Sequence, residues 1–253
     1  MGDGFLSRRV ALITDTKLHL GPDLARELAR SSHDLVIGEP GEGLADELRQ
    51  TGVNVEVVNG VADLGDPASV ARLVEAALTR FGRLDAACIR TGNHPVLTGD
   101  FLDSTLEELR WVSRGNVEST FHALQALLPP MLRAGHGQIV IVTSATGAKP
   151  SPKLPLYSAT RAAANMLVKN VALAVADRGV TVNAIGTNFL DYPWFREATG
   201  SNDPEVRKAV EQNVPLKRLG KPEEVAHFCA SLLDGRSCFQ TGQFFSLSGG
   251  WSD

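Results

Sequence analysis

Cysteine is scarce, with only Cys88, Cys229 and Cys238 in 253 residues. Their spacing fits neither a thiolate metal site nor a disulfide framework, so no metal is expected and a reducing compartment is the default. No apolar run reaches the ~18 residues that a membrane-spanning helix needs. The opening MGDGFLSRRVALITD holds no apolar leader region. A soluble, cytoplasmic chain is therefore expected, with no membrane partner. Neither sign of charge dominates: 25 basic residues face 29 acidic ones, for a net charge of −4. The basic residues are dispersed, which leaves no footprint for a nucleic acid. No internal repeat or low-complexity linker divides the chain, and residues 1–253 read as a single α/β domain with a large core.

What is present is an alternation of short β-branched runs and longer amphipathic stretches. Strands are expected at 10–13, 35–37, 53–58, 86–89, from 139, and at 180–185, with a last one inside 241–251. Helices are expected at 21–30, 44–50, 67–81, from 157 to about 177, at 204–213 and at 222–232. A long helical region at 106–131 is expected to break near Pro129 and Pro130. The segment 192–195 reads as an apolar loop.

The stretch from 139 to 168 carries the most chemistry. It opens as a buried strand. Ser144 lies just past that strand, in a loop holding Gly147, Pro150, Pro152 and Pro155. Tyr157 opens a helical pattern, and Arg161 follows four residues later, on the same helix face. Ser144 can reach that face at the carboxyl edge of an open α/β sheet. A phenol has a pKa of roughly 10 and is a poor base at neutral pH. A fixed cation beside it favours the phenolate, and arginine stays charged when partly desolvated. Serine would hydrogen-bond the same substrate oxygen. Tyr-x3-Arg alone is an ordinary helix face; Ser144, thirteen residues upstream of Tyr157, tips the balance toward acid–base work.

These residues resemble the short-chain dehydrogenase/reductase superfamily, whose site is Ser followed by Tyr-x3-Lys. Ser144-x12-Tyr157-x3-Arg161 is similar to the signature of its halohydrin dehalogenase branch, which uses no nicotinamide cofactor. The resemblance spans residues 8–252. It implies a Rossmann-like, doubly wound parallel sheet of about seven strands with helices on both faces. Dehydrogenases of the superfamily carry Thr-Gly-x3-Gly-x-Gly after the first strand, where glycines admit the cofactor pyrophosphate to a helix start. Here the loop is Thr14-Asp15-Thr16-Lys17-Leu18-His19-Leu20-Gly21, and only the last glycine is kept. The later Asn-Asn-Ala-Gly is replaced by Ile89-Arg90-Thr91-Gly92. Glu39, near the usual ribose acid, reads as a relic or surface residue, and Asp63 as a residue ordering its turn.

What the resemblance implies for function is a lyase, with no cofactor. Ser144, Tyr157 and Arg161 would convert vicinal halohydrins reversibly to epoxide and halide, and open epoxides with azide, cyanide or nitrite. Thr187, Asn188, Phe189 and Leu190, with His19, would form the halide or nucleophile site. Tyr192, Trp194 and Phe195, beside Pro193, would wall the substrate cavity, or simply pack on the core. The resemblance is loosely to the subgroup acting on cyclic epoxides, and it implies a homotetramer. His19 has two readings, a structural loop histidine or a pocket residue whose protonation would attract an anion. Asn116, at the superfamily's helix asparagine, reads as structural or supporting. Phe121, Leu124 and Leu128 serve either a dimer face or the core. Two other functions stay open: an NAD(P)-dependent oxidoreductase with an atypical loop, and a non-catalytic binding protein on the same scaffold.

Overall fold

A computed structural model describes residues 8–92 and 99–252; the opening segment read above for a leader, residues 1–7, lies outside them. The elements alternate as the patterning requires. The first half runs β1 (Val10–Ile13), α1 (Gly21–Arg30), β2 (Asp34–Gly38), α2 (Leu44–Gln50), β3 (Val55–Val58), α3 (Pro67–Phe81) and β4 (Ala86–Arg90). The second runs α4 (Leu106–Ser113), α5 (Ser119–Ala134), β5 (Gly137–Ser144), α6 (Pro155–Val175) and β6 (Val180–Thr187). It closes with α7 (Pro193–Thr199), α8 (Pro204–Gln212), α9 (Pro222–Ser231) and β7 (Phe244–Leu247).

The seven strands form one parallel sheet in the order β3-β2-β1-β4-β5-β6-β7. This is the doubly wound topology, with the chain reversing direction between β1 and β4. Strands covered on both faces should be apolar at every position rather than alternately, and β1 and β5 are buried throughout. The period of two then sorts side chains between two cores. Val10, Leu12, Ile139 and Ile141 join a cluster with residues of α3, α5 and α6. Ala11, Ile13, Val140 and Val142 join another with residues of α1 and α9.

Two helical details depart from expectation. Pro129 and Pro130 do not break α5, which continues to Ala134 and ends at Gly135 in the left-handed conformation. Their missing N–H groups fall near the helix end, and Leu124, Leu127 and Met131 hold the helix to the core on either side. Packing therefore overrides the proline penalty. The irregularity lies earlier, in a π-turn at Arg114–Glu118 between α4 and α5. Residues 193–195, read as part of an apolar loop, open the short helix α7, with Pro193 at its first turn. The last strand is confined to Phe244–Leu247. No helix among the described residues is long and apolar enough to cross a membrane.

Gly21 shows how tightly the first loop packs on α1. A Cβ at this position would lie 1.8 Å from the carbonyl oxygen of Asp15. Gly21→Ala is expected to lower the unfolding free energy by about 1–3 kcal/mol through overpacking. Gly99→Ala, where nothing lies within 4 Å, should change it by less than about 0.5 kcal/mol. Urea unfolding of both variants checks the contrast.

Candidate active site

Four strand ends meet at one edge of the sheet. Thr14 follows β1, Arg90 ends β4, Ser144 ends β5 and Thr187 ends β6. The β5–β6 register sets Ser144 directly opposite Thr187. Ser144 is buried, with its Oγ 2.9 Å from Oγ1 of Thr146.

Helix α6 supplies the facing wall. Its buried stripe runs Tyr157, Thr160, Arg161, Ala164, Asn165, Val168, Ala172 and Val175, at intervals of three and four. The stripe is polar over the first turns and apolar beyond, so one helix serves the site at one end and the core at the other. Thr143 donates to Oδ1 of Asn165 at 2.7 Å, which fixes α6 against β5. The Arg161 guanidinium carbon stands 5.0 Å from the centre of the Tyr157 ring. Arg161 is 3% exposed and bonds Oγ1 and the carbonyl of Thr91 at 3.0 and 3.2 Å. Its Nε has no partner, and among the described residues no carboxylate pairs with it. Gly92 makes room for it: a Cβ there would lie 1.9 Å from the guanidinium, and its φ is +81°.

The π-turn supports this arrangement. Its Gly115 carbonyl accepts from the Gly92 amide at 2.8 Å. Asn116 is buried and donates from Nδ2 to Oγ1 of Thr160, between Tyr157 and Arg161, at 2.8 Å. Leu124 is in the core and Leu128 packs against it, while Phe121 is 48% exposed.

His19 and the β6–α7 segment close the other side. His19 Nε2 lies 3.3 Å from Thr187 Oγ1, and its ring meets that of Tyr192 edge-on at 5.0 Å. Tyr192 stacks on Trp194 at 6.2 Å and touches Phe195 at 6.4 Å. Phe195 in turn meets Phe189, which meets Trp251. Burial, with the positive charges of Arg90 and Arg161, pushes the His19 pKa down to about 3. The imidazole is therefore neutral at physiological pH. Its Nδ1 is sealed without a partner. Burial pushes Tyr192 up to about 12, so it stays a phenol.

The expected anion loop is not one unit. Thr187 joins Ser144 and His19. Asn188, Phe189 and Leu190 instead line a cavity of about 180 Å³ with Val214, Leu216 and Val225, which Ser144, Tyr157 and Arg161 do not line. Asn188 Oδ1 accepts from the Phe189 amide, and Leu190 bridges to Gly220.

Arg90 is the residue that sequence reasoning passed over. It donates from Nε to Oδ2 of Asp15 at 2.7 Å, and its NH2 also pairs with that oxygen. Asp15 Oδ1 accepts from the amides of Lys17 and Leu18 at 3.1 and 3.4 Å. The available signal was a lone charge ending an otherwise apolar strand. Glu39 is half-buried, and its Oε1 accepts from the Val61 amide at 2.6 Å. Asp63 orders its turn by accepting from the Gly65 amide. Among the described residues no group of three or more His, Cys, Asp or Glu could hold a metal.

A dinucleotide pyrophosphate can be tested against this turn. The amides of Lys17 and Leu18 in this turn are taken by Asp15, which also brings negative charge. Gly21 is pressed against the loop's own backbone, and His19 closes onto Thr187. As folded, the turn does not fit the group.

Comparison with known proteins places the chain. Residues 19–252 match the family model described as enoyl-(acyl carrier protein) reductase. The oxidoreductase UcpA of Escherichia coli O157:H7 is 32% identical over 98% of this chain and 95% of its own. The 3-oxoacyl-[acyl-carrier-protein] reductase FabG of Staphylococcus epidermidis is 28% identical over 95% and 97%. A gluconate 5-dehydrogenase from Burkholderia cenocepacia, solved with NADP and tartrate, superposes with a TM-score of 0.83. It is 24% identical and covers 97% of this chain and 96% of its own, which shows the fold. These relatives correct the expectation of a cofactor-independent halohydrin dehalogenase and lyase. Whole-chain similarity runs to oxidoreductases, whereas the dehalogenase signature rests on a few positions: Ser144 at the end of β5, Tyr157 and Arg161 on α6, and the segments after β1 and β6.

The His19 environment has a measurable consequence. Its pKa is lower folded than unfolded, so the unfolded chain binds the extra proton between about pH 6.5 and about 3. Stability is complete above that window and falls as the pH drops through it, by at most about 1.4 kcal/mol per pH unit. Buried His33 acts in the same direction. His19→Phe is expected to lose stability less steeply than the parent between pH 6.5 and 5, read by urea unfolding. Parallel slopes would show that His19 is protonated in the folded chain.

Proposed function

The chain belongs to the short-chain dehydrogenase/reductase superfamily, and on that premise we propose that it is an oxidoreductase interconverting an alcohol and a carbonyl. The observation that carries the reading is the buried Tyr157–Arg161 pair on α6, with the guanidinium 5.0 Å from the phenol ring, beside a sheet edge where Ser144 is buried at the end of β5. Full-length similarity to oxidoreductases supports it.

In this reading the substrate oxygen accepts hydrogen bonds from the hydroxyls of Ser144 and Tyr157. Tyr157 gives its proton to that oxygen in reduction and takes it back in oxidation. The charge left on the phenol oxygen is balanced by Arg161. A hydrogen-bonded serine holds the oxygen in line, so the proton moves without reorganising solvent. The hydride partner that such chemistry requires is a nicotinamide dinucleotide, whose pyrophosphate the β1–α1 turn does not fit as folded. The aromatic rings of Tyr192, Trp194 and Phe195 favour a substrate with an apolar portion. Assembly as a tetramer through exposed apolar residues such as Phe121 is part of the same proposal.

NADH and NADPH oxidation with a panel of aldehydes and ketones tests the reading. Tyr157→Phe is expected to lower kcat by about 10²–10⁴-fold, and Ser144→Ala to lower it less, with nucleotide affinity unchanged in both. Halide release from vicinal halohydrins by a protein that binds neither nucleotide would overturn it.

A further inference from the structure

The cavity of about 180 Å³ that the catalytic residues do not line is built from four separate parts of the chain. Phe189 and Leu190 come from the segment after β6, Val214 and Leu216 from that after α8, Val225 from α9 and Leu247 from β7. Leu190, Val214 and Val225 are nearly inaccessible to solvent, whereas Leu216 is 63% exposed and marks where the wall reaches the surface. The backbone ties these parts together. The Gly220 amide donates to the Phe189 carbonyl at 2.9 Å, the Asp191 amide to the Gly220 carbonyl at 2.8 Å, and the Leu216 amide to the Gly249 carbonyl at 3.2 Å. Phe189 and Lys217 hold positive φ, 54° and 56°, which residues other than glycine keep only where their surroundings impose it. Walls braced in this way suit a pre-formed ligand pocket.

Charge and hydrogen bonding narrow what the pocket can take. Arg218 forks onto Glu224 with two bonds of 2.7 Å, and Lys221 stands 4.0 Å from Glu223. These pairs cancel, so the rim offers no net charge to an ion. Asn188 accepts from the Phe189 amide through Oδ1 at 2.9 Å, which leaves its Nδ2 as a donor without a partner among the described residues. We propose that this cavity binds a small neutral molecule, an apolar ring carrying one hydrogen-bond acceptor. The ring fills the space between Leu190, Val214, Val225 and Leu247, and Asn188 donates to the acceptor. The size agrees, since an apolar cavity of about 150 Å³ accepts benzene. A charged ligand would lose its hydration there without gaining a counter-charge. Occupancy bears on Phe189, whose ring meets Phe195 and Trp251, so the site adjoins the aromatic residues beside the catalytic edge. The inference is independent of the reaction catalysed.

Benzonitrile and toluene are the probes, close in size, of which only the first accepts a hydrogen bond. Their binding to the full chain is read by saturation-transfer NMR titration, and both are expected to bind the parent. Val225→Phe fills the cavity from α9 and is expected to weaken both by about ten-fold or more. Leu216→Trp, at the exposed wall, takes its place should thermal melts show that Val225→Phe does not fold. Asn188→Asp keeps the acceptor for the Phe189 amide and removes the donor. It is expected to weaken benzonitrile by about ten-fold and toluene by less than about three-fold. Failure of both probes to bind the parent would overturn the site. Binding left unchanged by a folded cavity-filling variant would overturn it as well, by placing the probes elsewhere. Equal weakening of the two probes by Asn188→Asp would overturn the acceptor requirement.

Discussion

A parallel strand can be followed by its neighbour only after the chain has crossed back over the sheet, and that constraint decides where chemistry can stand. All seven strands point one way, so their carboxyl ends share one edge. Between β1 and β4 successive connections leave in opposite directions, and a crevice opens there. The backbone holds this edge together before any side chain contributes. The Thr14 amide bonds the Cys88 carbonyl, and the Thr91 amide bonds that of Val142, each at 3.2 Å. Thr14, Arg90, Ser144 and Thr187 are brought together by this ladder, although up to 173 positions separate them.

Within the crevice two arginines are treated oppositely. Arg90 has a carboxylate partner and retains some solvent contact. Arg161 is nearly excluded from water, and among the described residues its polar partners are a hydroxyl and a carbonyl of Thr91, with the phenol ring of Tyr157 beside it. A desolvated cation without a counter-ion costs several kcal/mol unless its surroundings are polar and fixed. Thr91 supplies that polarity. Gly92 supplies the space, since any side chain there would displace the guanidinium. Thr160 then links the helix turn carrying both Tyr157 and Arg161 to Asn116 of the π-turn. A charge placed beside Tyr157 is thus maintained by three segments that sequence places far apart.

The alternation of strands and helices was legible because burial on both faces leaves an uninterrupted apolar record, as at Val10 to Ile13 and Ile139 to Val142. The Ser144, Tyr157 and Arg161 set was legible for a related reason, since helix spacing and strand ends fix where such residues can meet. The break expected at Pro129 was not found, because the local rule is outweighed by contacts of Leu127 and Met131 that no local reading counts. The Asp15–Arg90 pair was invisible, because it exists only once β1 and β4 are adjacent, 75 residues apart. Function was misread because the short dehalogenase signature was given more weight than a whole-chain similarity to oxidoreductases.

Strain marks the same region. His19 and Phe189 both adopt positive φ, at 60° and 54°, although neither is glycine. Conformations of this kind cost of order 1–3 kcal/mol each and persist only where packing over-determines them. Here the packing is mutual. The His19 ring rests on Thr187 and Tyr192, and the Phe189 ring rests on Phe195 and Trp251. The first loop and the segment after β6 therefore share one aromatic seam, which runs from the start of α1 to the closing residues. Neither loop can move far alone. The loop after β1 and the segment after β6 are thus joined as one packed body through His19 and Tyr192 at this edge of the sheet.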